Sequence, residues 1–251
     1  MHRYNSYIIC ANPRSGSTLL CKLLTDTRVA GKPESYFHLP SLSKWAEDCG
    51  VPFKGSQVNV MAAVLDQVLH KGTNGTNVFG LRLMRKSFDY LMAQLAAQYP
   101  DLPNDTARFN AAFGRTLFIR LTRGDKIAQT VSVVKAMQTG LWHAAPDGRE
   151  IERTAPPKLP VYDVDLITRE LAELTGFDQD WQRWFSREKI TPFAVNYEAL
   201  SDNPSAVLAD ILRQLGLDPA AANGARPQVA KLADATSRDW IARYRAERDN
   251  T

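Results

Sequence analysis

An apolar run, Tyr7-Ile8-Ile9-Cys10-Ala11, breaks directly into Asn12-Pro13-Arg14-Ser15-Gly16-Ser17-Thr18, and Leu19, Leu20, Leu23 and Leu24 follow at helical spacing. A strand that turns through small hydroxylated residues into a helix is the layout of a phosphate cradle. The unpaired N–H groups of the first helical turn and the positive end of the helix dipole both face whatever fills the turn. Gly16 lets the backbone approach an anion, and Ser15, Ser17 and Thr18 offer hydroxyls. Arg14 adds a planar, permanent cation. No Lys precedes Ser17-Thr18, so the loop departs from the G-x-x-x-x-G-K-[ST] pattern of ATP and GTP sites, and it is not G-x-G-x-x-G either.

Further along, short apolar runs alternate with amphipathic stretches. Strands are expected at 7–11, 78–83, 117–122 and 192–196, and helices at 17–26, 58–70, 88–98, 126–142, 166–187, 204–215 and 230–247. Strand–helix alternation predicts an α/β fold, a three-layer P-loop-like arrangement with a mainly parallel central sheet flanked by helices. In such a fold ligands sit at the carboxyl ends of the strands, where residues 12–18 lie. Tyr99–Gly114 and Ala144–Pro160, rich in Pro and Gly, read as loops without regular structure. No repeat or linker divides the chain, so residues 1–251 are expected to form a single domain.

Hydrophobic residues at 44% and charged residues at 23% fit a globular protein, and no apolar run reaches the ~20 residues that span a bilayer. Met1-His2-Arg3-Tyr4-Asn5-Ser6 lacks a signal-peptide core. Three cysteines suit a reducing compartment, so a cytoplasmic location is expected. His2, His38, His70 and His143 are scattered, with no metal-ligand spacing, and no metal is expected. The net charge of +4 is mild. Arg238, Arg243, Arg245 and Arg248 are interleaved with acids as on a solvated helix face, and no nucleic-acid partner is expected.

Two further constellations fit the loop. Arg123 ends the 117–122 run and Ser132 lies on the following helix, so the pair can clamp one phosphate from two sides. Asn196-Tyr197-Glu198-Ala199-Leu200, followed by Asn203-Pro204, offers Tyr197 either to a nucleobase or to the core.

Together these segments resemble bacterial sulfotransferases of the trehalose 2-sulfotransferase family. The resemblance runs from about residue 7 to 245 and includes 12–20, 29–37, 79–84, 123–142, 181–185 and 196–200. It implies 3′-phosphoadenosine 5′-phosphosulfate (PAPS) as cosubstrate, with Arg14, Ser15, Gly16, Ser17 and Thr18 on the 5′-phosphosulfate, Arg123 and Ser132 on the 3′-phosphate, and Tyr197 near adenine. The step from Arg123 to Ser132 is one residue longer than in the family at large, which turns the helical register by about 100° and leaves Gln129 or Thr130 as substitutes. It further implies a sugar or glycolipid acceptor near Lys32, Glu34, Ser35, Phe37 and Arg82, and a homodimer. In-line transfer needs a base for the acceptor hydroxyl. Glu34 is the expected base, although the family's acid falls one residue later, where this chain has Ser35; His38 is the substitute. Two other readings stay open: a phosphoryl transferase with a degenerate P-loop, and a nucleotide- or glycan-binding protein without catalysis.

Overall fold

The computed structural model describes residues 4–227, 230 and 232–249. In chain order the elements are β1 (Ser6–Ala11), α1 (Ser17–Asp26), α2 (Leu42–Cys49), α3 (Gln57–Thr73), β2 (Phe79–Met84), α4 (Arg85–Gln98), α5 (Asp105–Phe113), β3 (Thr116–Thr122), α6 (Lys126–Thr139), β4 (Leu141–Ala144), β5 (Glu150–Arg153), α7 (Val164–Arg187), β6 (Phe193–Asn196), α8 (Tyr197–Asp202), α9 (Pro204–Leu215) and α10 (Ala235–Asp249), with a 3-10 turn at Pro219–Gly224.

The expected α/β architecture is present. β2, β1, β3 and β6 form a parallel sheet in that order, with Ile8 paired to Leu81 on one side and to Phe118 on the other. Every residue of β1 is buried. Because side chains alternate along a strand, Ile8 and Cys10 enter a core shared with α2–α5 and α7, whereas Tyr7, Ile9 and Ala11 enter another shared with α1 and α9. Helices therefore cover both faces, as a parallel sheet requires. All four strands run in one direction, so the carboxyl ends of β1, β2 and β3 open onto one cleft.

Both stretches expected to be loops contain regular structure. Within 99–114, Asn104 Oδ1 accepts from the Ala107 N–H at 2.8 Å and starts α5, whose Phe109 and Phe113 are buried in the first core. Within 144–160, β5 pairs antiparallel with β4 to make a hairpin. The helix expected to run to Trp142 stops at Thr139. Gly140 follows in the left-handed region (φ 71°), and a Cβ there would meet Ala155 N at 2.6 Å, so only glycine fits this turn. Trp142 is thereby moved into β4. The last helix begins at Ala235 rather than 230, where Asp234 Oδ1 accepts from the Ser237 N–H at 2.8 Å. Met1–Arg3 and Lys231, included in the sequence expectations, lie outside the described residues.

Candidate active site

A cleft of about 1410 Å³ opens over the strand ends. Its floor is the loop between β1 and α1. Arg14 and Gly16 both take positive φ, 59° and 89°. Gly16 precedes α1 without supplying a side-chain cap, so the leading N–H groups of the helix keep their donor capacity. Gly16 is also required sterically, since a Cβ would fall 2.4 Å from Tyr197 Cδ2. Arg14, Gly16, Ser17 and Thr18 line the cleft. Ser15 does not. It is fully buried and its hydroxyl donates to Asn12 O at 2.8 Å, so it shapes the turn rather than facing a ligand.

The Arg14 guanidinium crosses the cleft. Nε donates to Ser132 Oγ at 2.8 Å and Nη1 donates to Trp142 O. Burial and the neighbouring Arg123 both lower its pKa. Ser132 faces the cleft despite the lengthened interval. Gln129 and Thr130, the substitutes, are fully buried: Gln129 Nε2 donates to Pro13 O at 2.7 Å and Thr130 Oγ1 to Lys126 O at 2.8 Å. Arg123 also lines the cleft, its guanidinium 4.7 Å from the centroid of the Tyr197 ring. Its Nη1 makes one long bond, 3.3 Å to Arg14 O, and its buried Nε has no partner. Two cationic side chains with spare donors, an uncapped helix start and a hydroxyl from α6 fit a phosphate-bearing ligand.

Behind the loop, Asp178 of α7 ties these parts together. It accepts from Asn12 Nδ2 at 2.7 Å, from Arg120 Nη2, and from Lys126 Nζ at 2.5 Å. One carboxylate thus joins the end of β1, the buried cation of β3 and the first residue of α6.

The segment 31–38 runs beside β2. Glu34 forms a parallel bridge with Leu81, and the Arg82 N–H donates to Glu34 O at 3.0 Å. In an extended chain neighbouring side chains point to opposite sides. Ser35 Oγ accepts from Arg82 Nε at 2.7 Å within the cleft, whereas Lys32 and Glu34 point the other way and pair with each other at 3.1 Å. Their side chains are 43% and 53% exposed and neither lines the cleft, which corrects the expectation for both. Phe37 is a core residue, 1% exposed and edge-on to Trp45 at 4.9 Å, not an acceptor contact. His38 lines the cleft, and its backbone carbonyl and that of Leu39 accept from Trp45 Nε1. Arg82 Nη1 donates to Thr18 Oγ1 at 2.7 Å, so β2 meets the first turn of α1 there.

The β4–β5 hairpin brings His143 to the same place, 3.0 Å from Thr18 Oγ1 through Nε2. A helix over 126–142 would leave no strand to carry this ring, so its place in the cleft depends on α6 ending at Thr139 and β4 following. No group of three or more His, Cys, Asp or Glu side chains suited to a metal occurs among the described residues, and no helix among them is long and apolar enough to cross a membrane.

The profile of the Stf0 sulphotransferase family matches residues 6–247. Trehalose 2-sulfotransferase of Mycobacterium tuberculosis is 30% identical over 265 residues, covering 96% of this chain and 94% of that protein. Trehalose 2-sulfotransferase of Mycolicibacterium smegmatis is 30% identical over 266 residues, covering 97% and 96%. Among solved structures, the sulfotransferase domain of the Synechococcus PCC 7002 olefin synthase superposes with a TM-score of 0.46 at 14% identity, covering 96% of this chain and 94% of that one.

Proposed function

The chain belongs to the Stf0 sulphotransferase family, and on that premise we propose that it moves a sulfuryl group from PAPS to a hydroxyl of a carbohydrate or glycolipid. The observation that carries the donor assignment is the convergence of Arg14, Arg123 and Ser132 on the cleft at the uncapped start of α1, with Arg14 Nε bonded to Ser132 Oγ. Arg14 and the start of α1 would hold the 5′-phosphosulfate and Arg123 with Ser132 the 3′-phosphate, with the Tyr197 ring beside the loop toward adenine. Three free thiols are in keeping with a cytoplasmic site of action.

In the transfer, the acceptor oxygen forms a bond to sulfur as the bond between sulfur and the bridging phosphate oxygen breaks. The electron pair leaves with the phosphate. Arg14 and the N–H groups of α1 take up that growing charge. The hydroxyl proton passes to a base, for which we propose His38, because it lines the cleft while Glu34 is turned away to Lys32. Beyond His38 the cleft is walled by Arg85, Asp89, Asp180 and the Phe177 ring. Arg85 pairs with Asp89 at 3.0 Å and with Asp180 at 3.6 Å. Charge-compensated carboxylates beside an aromatic ring suit a neutral polyol, whose hydroxyls can donate to oxygen and whose C–H face can pack on the ring.

Thermal melting tests the donor. Saturating 3′,5′-adenosine bisphosphate, the desulfonated product, should raise the melting temperature, with about 2.7 kcal/mol gained at a hundredfold excess over Kd, while ATP with Mg²⁺ should give less. Transfer of labelled sulfuryl from PAPS to a panel of sugars then tests the reaction. A preference for ATP with Mg²⁺ would favour phosphoryl transfer. Bisphosphate binding without transfer to any sugar would favour a binding protein.

A further inference from the structure

His143 occupies a place that the hairpin itself does not require. It stands on β4, opposite Glu152 of β5, yet its ring turns into the cleft rather than to solvent and its side chain is only 21% exposed. Nδ1 lies 3.4 Å from Arg14 Nη1. An arginine can only donate, so Nδ1 is assigned as the lone-pair nitrogen and the ring proton sits on Nε2. That N–H points at Thr18 Oγ1 at 3.0 Å, and Arg82 Nη1 points at the same oxygen at 2.7 Å. Two donors from separate segments therefore converge at the open N-terminus of α1.

The groups facing the ring are Arg14 on the loop, Thr18 and Lys22 on α1, Arg82 on β2 and Glu152, 3.6 Å from Nε2, on β5. Burial first, then Arg14, Arg82 and Lys22, push its pKa down to about 4, so the ring is neutral at physiological pH. A neutral N–H donor adds a hydrogen bond where two guanidiniums already stand, without the repulsion of a third cation.

We propose that His143 is a catalytic residue, its Nε2–H donating to a non-bridging oxygen of the sulfuryl group while that group passes between phosphate and acceptor. This rests on the sulfotransferase reading. It separates His143 from the base: the nitrogen that could take a proton is turned to Arg14, so His143 stabilises charge and the acceptor proton goes elsewhere.

Steady-state kinetics with PAPS and the best sugar, together with calorimetric affinity for 3′,5′-adenosine bisphosphate, test the role. His143→Ala should lower kcat by about 10²- to 10³-fold, the effect of removing one such donor. Bisphosphate affinity should stay within twofold, since that ligand carries no sulfuryl group. His143→Gln, whose amide N–H reaches the Nε2 position, should recover at least about tenfold of the loss. His143→Asn, whose amide reaches only the Nδ1 position, should not, and this pair carries the test if the alanine variant fails to fold. The role is overturned by an alanine kcat within threefold of wild type, by equal recovery in Gln and Asn, or by a parallel loss of bisphosphate affinity. An acidic limb in the kcat profile that disappears in His143→Gln would make the ring the base and also overturn it. Wild-type protein that binds bisphosphate but transfers nothing from PAPS would fail the functional reading itself, and this role with it.

Discussion

Asp178→Asn keeps the size of the side chain and deletes its charge, so it isolates what the carboxylate does behind the loop. In the native protein one oxygen accepts from both Asn12 and Arg120 and the other accepts from Lys126. An asparagine can still offer one oxygen, but its amide nitrogen must then face a cation. Breaking a buried ion pair by removing one partner costs about 3 to 5 kcal/mol, because the remaining charge is left uncompensated. Arg120 is only 10% exposed in its side chain and fits that case. Asp178 and Lys126, at 28% and 23%, are reached by some water, and Lys126 Nζ keeps Gln129 Oε1 as a partner at 2.8 Å. The low end of the range therefore applies, about 3 kcal/mol. For a chain of this length that is a fall in melting temperature of about 6 to 12 °C. Differential scanning calorimetry at neutral pH measures it directly. A fall of less than about 2 °C would refute the reasoning, since Arg120 would then have found solvent or another acceptor and Asp178 would not be the link between β1, β3 and α6.

Gly16→Ala should destabilise the fold by about 2 kcal/mol through its positive φ and the contact with Tyr197, and should weaken bisphosphate affinity by about tenfold; a variant that binds like wild type in calorimetry would show that the ring yields freely. Glu34→Gln should leave kcat within about twofold, whereas His38→Asn should lower it by about 10²-fold or more; the reverse order in a sulfuryl-transfer assay would return the base to Glu34. Stability should also respond to pH through His143. Its folded pKa lies below the ordinary histidine value of 6.5, so the unfolded chain binds a proton that the fold refuses, and stability is full above about 6.5 and is lost as pH falls toward about 4. The loss is at most about 3.4 kcal/mol, and less with the ring partly exposed. Melting curves from pH 7 to pH 4 should be flatter for His143→Gln, and identical slopes would contradict the account.

Much of the fold could be read from local signals. The β1–loop–α1 unit and the parallel sheet follow from apolar runs, a glycine at the turn and residue spacing, and the same spacing brings Arg123 and Ser132 to the cleft lining. What escaped depended on contacts between distant segments. Asn104 caps a helix inside a Pro-containing stretch, and the helix is held by Phe109 against Trp184 of α7 and by Phe113 stacked on Phe79 of β2. Gly140 ended α6 early because Ala155, fifteen residues on, leaves no room for a side chain. Missing that stop hid the hairpin, and with it His143. Glu34 parts from Ser35 because the chain is extended where it bridges to β2, so neighbouring side chains diverge and Ser35 meets Arg82; Phe37 sits in the turn that follows, closed by the His38 N–H donating to Ser35 O, and that turn drops its ring into the core beside Trp45. Asp178 was legible only as an acid on an amphipathic helix, since nothing local announces that it faces Arg120.

The two cores on opposite sides of β1 limit how this family member can vary. Adding or deleting one residue before Asn12 would send the large side chains meant for each layer into the other, and would turn Asn12 away from Asp178 as well. Length changes are better tolerated outside the strands, such as at the hairpin tip at Pro146-Asp147-Gly148, where the chain can be lengthened without disturbing the phase that aims the loop after β1.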